Sequence, residues 1–80
     1  MKDLKYCELF DIYGKELTKT QANIMHQYFN LDYSLAEIAQ NENISRAAVQ
    51  DCVKKCKARL DDLESKIGFL KYRKSMHNVD

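Results

Sequence analysis

Ser45, Arg46, Ala47, Gln50, Asp51, Lys54 and Lys55 are the residues of this 80-residue chain whose types and spacing could do chemistry. Ala47, Gln50, Asp51 and Lys54 stand at i, i+3, i+4 and i+7, which on an α-helix is a single face. Arg46 opens that helix, Ser45 is placed to cap it, and Lys55 flanks the face. An amide can pair with adenine, a cation with guanine or a phosphate, and a methyl with thymine, so this row has the chemistry of a nucleic-acid reader. Nothing comparable points to catalysis. The chain has no phosphate-cradling glycine loop, no nucleophile elbow and no His-Glu metal motif. The neighbouring carboxylates Asp61 and Asp62 lie on the polar side of a long helix and read as solvated surface rather than an acid–base pair. We expect a protein that is not an enzyme and carries no cofactor.

The elements that must position those side chains run from Ser34 to Leu60. Ser34 can cap a short helix, with Glu37 three residues later as its capping-box partner. Leu35, Ile38 and Ala39 give that helix one apolar stripe. Asn41-Glu42-Asn43 then interrupts the pattern, and asparagine tolerates the left-handed conformation that a tight turn needs. From Ser45 a second, longer helix follows. Its inward stripe is Val49, Cys52, Val53 and Cys56, about half a turn from the polar row. Small Ala39 allows close approach, with Ile38, Ile44 and Val49 filling the angle between the helices. A plain antiparallel helix pair would share the periodicity, but two caps, the small residue and the offset stripes favour a helix-turn-helix.

Composition sets the frame. There is no proline and there are two glycines, no alternating β-type run and no hairpin dipeptide, so the fold class is all-α: a helical bundle containing a helix-turn-helix, with a long C-terminal helix. A chain this short buries only about 60–65% of its unfolded surface. No apolar run approaches the roughly 20 residues of a membrane span, and membrane insertion is not expected. Cys7, Cys52 and Cys56 make an odd count, with two on one helix face, which points to reduced thiols in a cytoplasmic protein. Cys52 and Cys56 lack a second closely spaced pair that would complete a zinc site, so they read as small hydrophobes and no metal is expected. His26 falls off the apolar stripe of its helix and reads as solvated.

Charge is uneven along the chain. Residues 1–44 carry four basic and seven acidic side chains, whereas residues 45–74 carry nine basic and four acidic. The positive half holds the reading face, as a nucleic-acid footprint requires. Asp51 stands in the middle of that face and repels phosphate.

In chain order, residues 1–80 read as one domain: 1–44 as helical support and the first motif helix, 45–74 as the recognition helix and its extension, and 75–80 as a frayed tail. In a first helix over roughly Asp3 to Tyr13, Leu4, Cys7, Phe10 and Tyr13 recur every third residue, with Tyr6, Leu9 and Ile12 widening the apolar arc, and Gly14 is placed to end it in the left-handed conformation. Tyr6 and Tyr13 read as core rather than as a base-stacking platform. Thr18 caps a second helix with Gln21 as capping-box partner, and its apolar face is Ala22, Ile24, Met25, Tyr28 and Phe29. Leu31 is expected to dock into the core. Beyond the reading face, Val49, Val53, Cys56, Leu60, Leu63, Ile67 and Leu70 step as a heptad seam. Carried from Arg46 to Lys74, that helix would be ~43 Å long, running the length of the bundle or projecting from it, with Gly68 able to bend or end it. The first helix is too short to cover the seam, so Leu60, Leu63, Ile67 and Leu70 are expected to form a homodimer interface.

Three pieces of the chain resemble the YlxM family of small bacterial proteins: LFDIYGKELTKTQ (Leu9 to Gln21), YSLAEIAQ (Tyr33 to Gln40) and ISRAAVQDCVKK (Ile44 to Lys55). The last two are similar also to the promoter-reading fourth region of bacterial sigma factors; the first, with its Phe-Asp-aromatic-Tyr-Gly signature, sharpens the assignment. The resemblance implies an all-helical fold related to that sigma region. It also implies a regulatory role in the signal recognition particle pathway, inferred in the family from gene neighbourhood beside the particle's GTPase. Expected partners are therefore duplex DNA, on the reading of the polar face, or the particle's GTPase or RNA. The chain departs from the family pattern at Asn43, where a glycine is usual, and at Glu42, where an apolar residue is usual.

Overall fold

The computed structural model describes residues 4–77, with side chains described through residue 73. It is all-α. Five helices follow in order: α1 (Leu4–Tyr13), α2 (Lys19–Phe29), α3 (Leu35–Glu42), α4 (Arg46–Ile67) and α5 (Phe69–His77), with a short 3-10 turn at Gly14–Glu16 between the first two. The first and last three residues lie outside the described part, as does half of the expected frayed tail; residues 75–77 belong to α5.

Local chemistry sets the helix starts. The Thr18 hydroxyl accepts from the Gln21 amide at 3.1 Å while the Gln21 carboxamide accepts from the Thr18 amide at 3.1 Å. Ser34 and Glu37 repeat this box at α3, at 3.1 and 3.0 Å. Ser45 caps α4 by accepting from the Ala48 amide at 3.0 Å. Each cap satisfies an otherwise orphaned donor, a contribution of ~1 kcal/mol.

The helix ends are set by left-handed residues. Asn43 has φ 57° and ψ 44°, and its own amide donates to the Gln40 carbonyl while that of Ile44 donates to the Ala39 carbonyl. This is a Schellman close, and it turns the chain from α3 into α4. Gly68, at φ 75°, closes α4 by donating to the Glu64 carbonyl at 2.8 Å. The helix expected to reach Lys74 therefore stops at Ile67, about 33 Å long. Gly14 does not adopt the expected left-handed conformation. Its lack of a side chain serves packing, because a Cβ there would stand 3.2 Å from the Phe10 ring.

The core has two parts, and they divide the heptad seam between them. Val49, Val53 and Cys56 are buried with Ile24, Met25, Phe29, Ile38 and Ala39 of α2 and α3. Leu60 and Leu63 are buried with Leu9 and Tyr13 of α1 and Leu70 of α5. The seam thus closes within one chain, which overturns the premise of the dimer expectation for Leu60, Leu63 and Leu70; Ile67 alone of the four is open, at 52% exposure. The error lay in asking α1 to cover the whole seam. It covers the distal half through Leu9 and Tyr13 and only adjoins the proximal cluster through Tyr6, Cys7 and Phe10, and α5 doubles back at Gly68 to supply Leu70.

Two smaller expectations also fail. Leu31 is 45% exposed, because Asp32 turns at φ 55° and Tyr33 is the linker side chain that packs on the core. Ile44, the residue after the left-handed turn, is 39% exposed rather than filling the helix angle.

Tyrosine hydroxyls join α1 to α4. Tyr6 donates to Asp61 at 2.7 Å and Tyr13 donates to Glu64 at 2.8 Å. Asp61 also pairs with Lys5 at 3.2 Å, so this carboxylate ties α1 down rather than standing free. Glu64 does more. Its two oxygens accept from the Leu70 and Lys71 amides at 3.1 Å each, capping α5, while the Phe69 amide donates to the Tyr13 hydroxyl at 3.0 Å.

Candidate nucleic-acid interface

Helix α4 presents its N-terminal half because its opposite face is anchored. Val49 and Val53 are buried, while Ser45, Arg46, Ala47, Gln50, Asp51, Lys54 and Lys55 are all exposed. The structure therefore brings the seven sequence-derived site residues onto one accessible surface. Asp51 is not an isolated repulsive charge: it pairs with Lys55 at 3.0 Å one turn on. The hydrogen bond that Lys55 donates to Asp51, and then the Asp51 charge, raise the Lys55 pKa above the ordinary lysine value. The two charges offset each other, leaving Arg46 and Lys54 as the cations on this face.

Sequence reasoning missed two features. The first is Lys57, whose ammonium lies 5.2 Å from the Tyr6 ring centroid and 5.6 Å from that of Tyr28. It extends the cationic edge one turn beyond Lys54, and its i+3 spacing from Lys54 was the available signal. The second is Gln27, which is only 8% exposed. Its Nε2 donates to the Glu42 carboxylate at 2.9 Å and to the Asn23 carbonyl at 3.2 Å, and its Oε1 accepts from Asn41 at 2.9 Å. This bridge holds α2 to the last turn of α3. A polar residue at i+3 from Ile24, inside an apolar stripe, was the sign of it. Glu42, where the YlxM pattern has an apolar residue, thus makes a polar contact in its place.

Cys56 is not a reactive centre. Cys52 and Cys56 have sulfurs 3.9 Å apart, and burial first, then the neighbouring Cys52, pushes the Cys56 thiol up to about 12. A neutral thiol is neither nucleophile nor metal ligand. Among the described residues no three His, Cys, Asp or Glu side chains gather to hold a metal, and no helix is long and apolar enough to cross a membrane.

A short capped helix, a turn closed at a left-handed residue and a second helix with its polar N-terminal face outward define a helix-turn-helix protein. Comparison with known sequences narrows this class. The chain belongs to the UPF0122 family, whose profile, described as "Putative helix-turn-helix protein, YlxM / p13 like", matches residues 1–79. It is 50% identical over 62 residues to the UPF0122 protein of Acetivibrio thermocellus, covering 78% of this chain and 53% of that one. Over 68 residues it is 43% identical to the UPF0122 protein of Clostridium kluyveri, covering 85% of this chain and 61% of that one. The corresponding protein of Malacoplasma penetrans is 45% identical over 74 residues, 88% of this chain and 68% of its own length. The chain thus spans between about half and two-thirds of the length of these relatives.

Proposed function

We propose that this chain is a regulatory helix-turn-helix protein that docks the N-terminal half of α4 in the major groove of duplex DNA. The observation that carries the reading is the contrast within one helix: Val49 and Val53 are buried, and every polar residue of the opposite face is exposed. Arg46 and Lys54, which make no ion pair among the described residues, neutralise phosphates or meet guanine. Gln50 offers its carboxamide to adenine, Ala47 its methyl to thymine, and Ser45 and Lys55 lie toward the backbone. Asp51 can accept from cytosine, and its pairing with Lys55 limits its repulsion of phosphate. Binding measured against salt tests this. Lys54→Ala should weaken binding to all duplexes alike and reduce the salt slope by about one unit, whereas Gln50→Ala should relax sequence preference. If the wild type shows no salt-dependent binding to any duplex at low ionic strength, the DNA reading fails.

A second reading follows from the family resemblance: an accessory factor of the signal recognition particle pathway that uses the same face against the particle's GTPase or RNA. Asp51 favours the GTPase as the partner, since an acid on the reading face cancels one of few cations and lowers affinity for nucleic acid in general. Titration of the GTPase and the RNA in parallel with duplex DNA separates the two readings.

A further inference from the structure

Beside the reading face lies a groove of about 310 Å³ lined by Tyr28 of α2, Leu35 of α3 and Gln50, Val53, Lys54 and Lys57 of α4. Its volume is at the small end of the range for small-molecule sites, about 300–1,000 Å³. We propose that this groove seats one unpaired nucleotide, its base against Tyr28 and Leu35 and its phosphate on Lys54 and Lys57. The inference rests on the nucleic-acid reading of α4 and extends it to the kind of target.

The lining separates into two chemistries. Val53 is buried and Tyr28 and Leu35 are half-buried, so floor and wall are apolar and aromatic. A hydrated phosphate gains nothing from such a surface, whereas the flat face of a base does. Gln50 supplies a donor and an acceptor for a base edge at one end. Lys54 and Lys57 supply the charge, and the Tyr6 and Tyr28 rings place the Lys57 ammonium. Among the described residues no carboxylate lines the groove.

Bases inside a duplex have both faces covered by their neighbours. Stacking on Tyr28 therefore requires a nucleotide outside the stack, as in a bulge, a junction or a loop. Gln50 and Lys54 belong both to this groove and to the reading face, which makes one continuous surface for a duplex that carries an unpaired nucleotide. An acidic peptide would satisfy the lysines, but it has no need of the base-edge amide or of continuity with the polar row.

Fluorescence anisotropy decides the matter with three labelled probes of shared, randomised stem sequence: a fully paired DNA duplex, the same duplex with one bulged nucleotide, and an RNA hairpin with an open loop. The bulged or looped probe should bind the wild type about 5- to 150-fold more tightly than the paired duplex, as expected for one base–aromatic stack. Tyr28→Leu should abolish that preference while leaving the paired duplex within about twofold, and Tyr28→Phe should retain it. Lys57→Ala, at a partly exposed position, provides a second variant should Tyr28→Leu fail to fold, and should reduce the same preference. The two unpaired probes distinguish RNA from DNA as the source. Equal affinity for paired and unpaired probes, or equal losses on both in Tyr28→Leu, overturns the proposal while the duplex reading stands. Binding of none of the probes ends the nucleic-acid reading itself. Displacement of the bulged probe by the paired duplex but never by a Glu/Leu-rich helical peptide supports the proposal, and tighter binding of that peptide than of any probe reassigns the groove to a protein.

Discussion

The division of the heptad seam can be tested by truncating two of its members. Leu60 is fully buried between α1, α4 and α5, whereas Ile67, one heptad position along, is 52% exposed. Leu60→Ala removes buried methyl groups and leaves a cavity, which costs about 2–5 kcal/mol. For a chain of this size total stability is roughly 4–12 kcal/mol. One substitution therefore removes a large share of it and lowers Tm by about 10–30 °C. Ile67→Ala gives up at most about half of a side chain's transfer free energy, roughly 1 kcal/mol or less, and a few degrees. Thermal unfolding followed by circular dichroism, at micromolar and at tens of micromolar protein, measures both. A seam closed within one chain gives the large difference and a Tm independent of concentration. Equal losses for Leu60→Ala and Ile67→Ala, with a Tm that rises with concentration, would show that a second copy covers the seam and that the packing of α1 on α4 is wrong.

Other sites give equally direct outcomes. Asn43→Gly should leave stability within ~0.5 kcal/mol, whereas Asn43→Val should cost ~1–2 kcal/mol because φ 57° is strained for a β-branched residue; urea unfolding distinguishes them. Gln27→Leu should cost about 1–3 kcal/mol, since Glu42 and Asn41 both lose their partner, and hydrogen exchange should rise first around Asn41 to Asn43. Burial alone would raise the Glu64 pKa, but the Tyr13 hydroxyl, the Leu70 and Lys71 amides and the Lys5 charge together hold it below the ordinary carboxylate value. A depressed acid stabilises the fold fully above its unfolded value of about 4.3, and that contribution is lost as pH falls through the folded value. The wild-type Tm should therefore drop below about pH 4 more steeply than that of Glu64→Gln. Gly68→Ala should lower stability by about 1 kcal/mol through backbone strain at φ 75° alone, since no atom lies within 4 Å of the added carbon.

What the sequence disclosed was the part encoded locally. The capping boxes at Thr18 and Ser34, the cap at Ser45 and the left-handed Asn43 are each written within a few residues, and the structure shows all of them. The polar row of α4 was legible because its periodicity is offset from Val49 and Val53 on the same helix. What was not legible depends on residues far apart in the chain. A period of 3.5 is the same whether a seam is covered by another copy or by three segments of its own chain, so Leu60, Leu63 and Leu70 read as an interface until α1 and α5 are placed. Gly68 carried both outcomes, a tolerated glycine in a long helix or its end. The deciding partner was Glu64, whose carboxylate caps α5 only after the chain has turned back. The groove was hidden for a similar reason: Tyr28, Leu35 and Lys57 come from three helices, and Tyr28 and Leu35 each read only as part of an apolar face.

The partition of the seam bears on how the reading face is held. The proximal part of α4 is fixed by α2 and α3 through Val49, Val53 and Cys56, and the distal part by α1 and α5 through Leu60 and Leu63. A helix clamped at both ends of its inner face cannot roll, so the outward row from Arg46 to Lys55 keeps its orientation without help from a ligand. Binding to such a face loses little free energy to ordering. The polar ties at the two clamps differ in kind. Gln27 joins neutral and charged groups at the helix-turn-helix corner, whereas Tyr6, Tyr13, Asp61 and Glu64 form a charged latch at the far end. Acid weakens the far latch through Glu64, and the corner that sets the angle between α3 and α4 rests mainly on apolar packing and the Asn43 turn. Acidification below about pH 4 should thus loosen α1 and α5 before it disturbs the reading helix, which places the two ends of α4 under separate physical control.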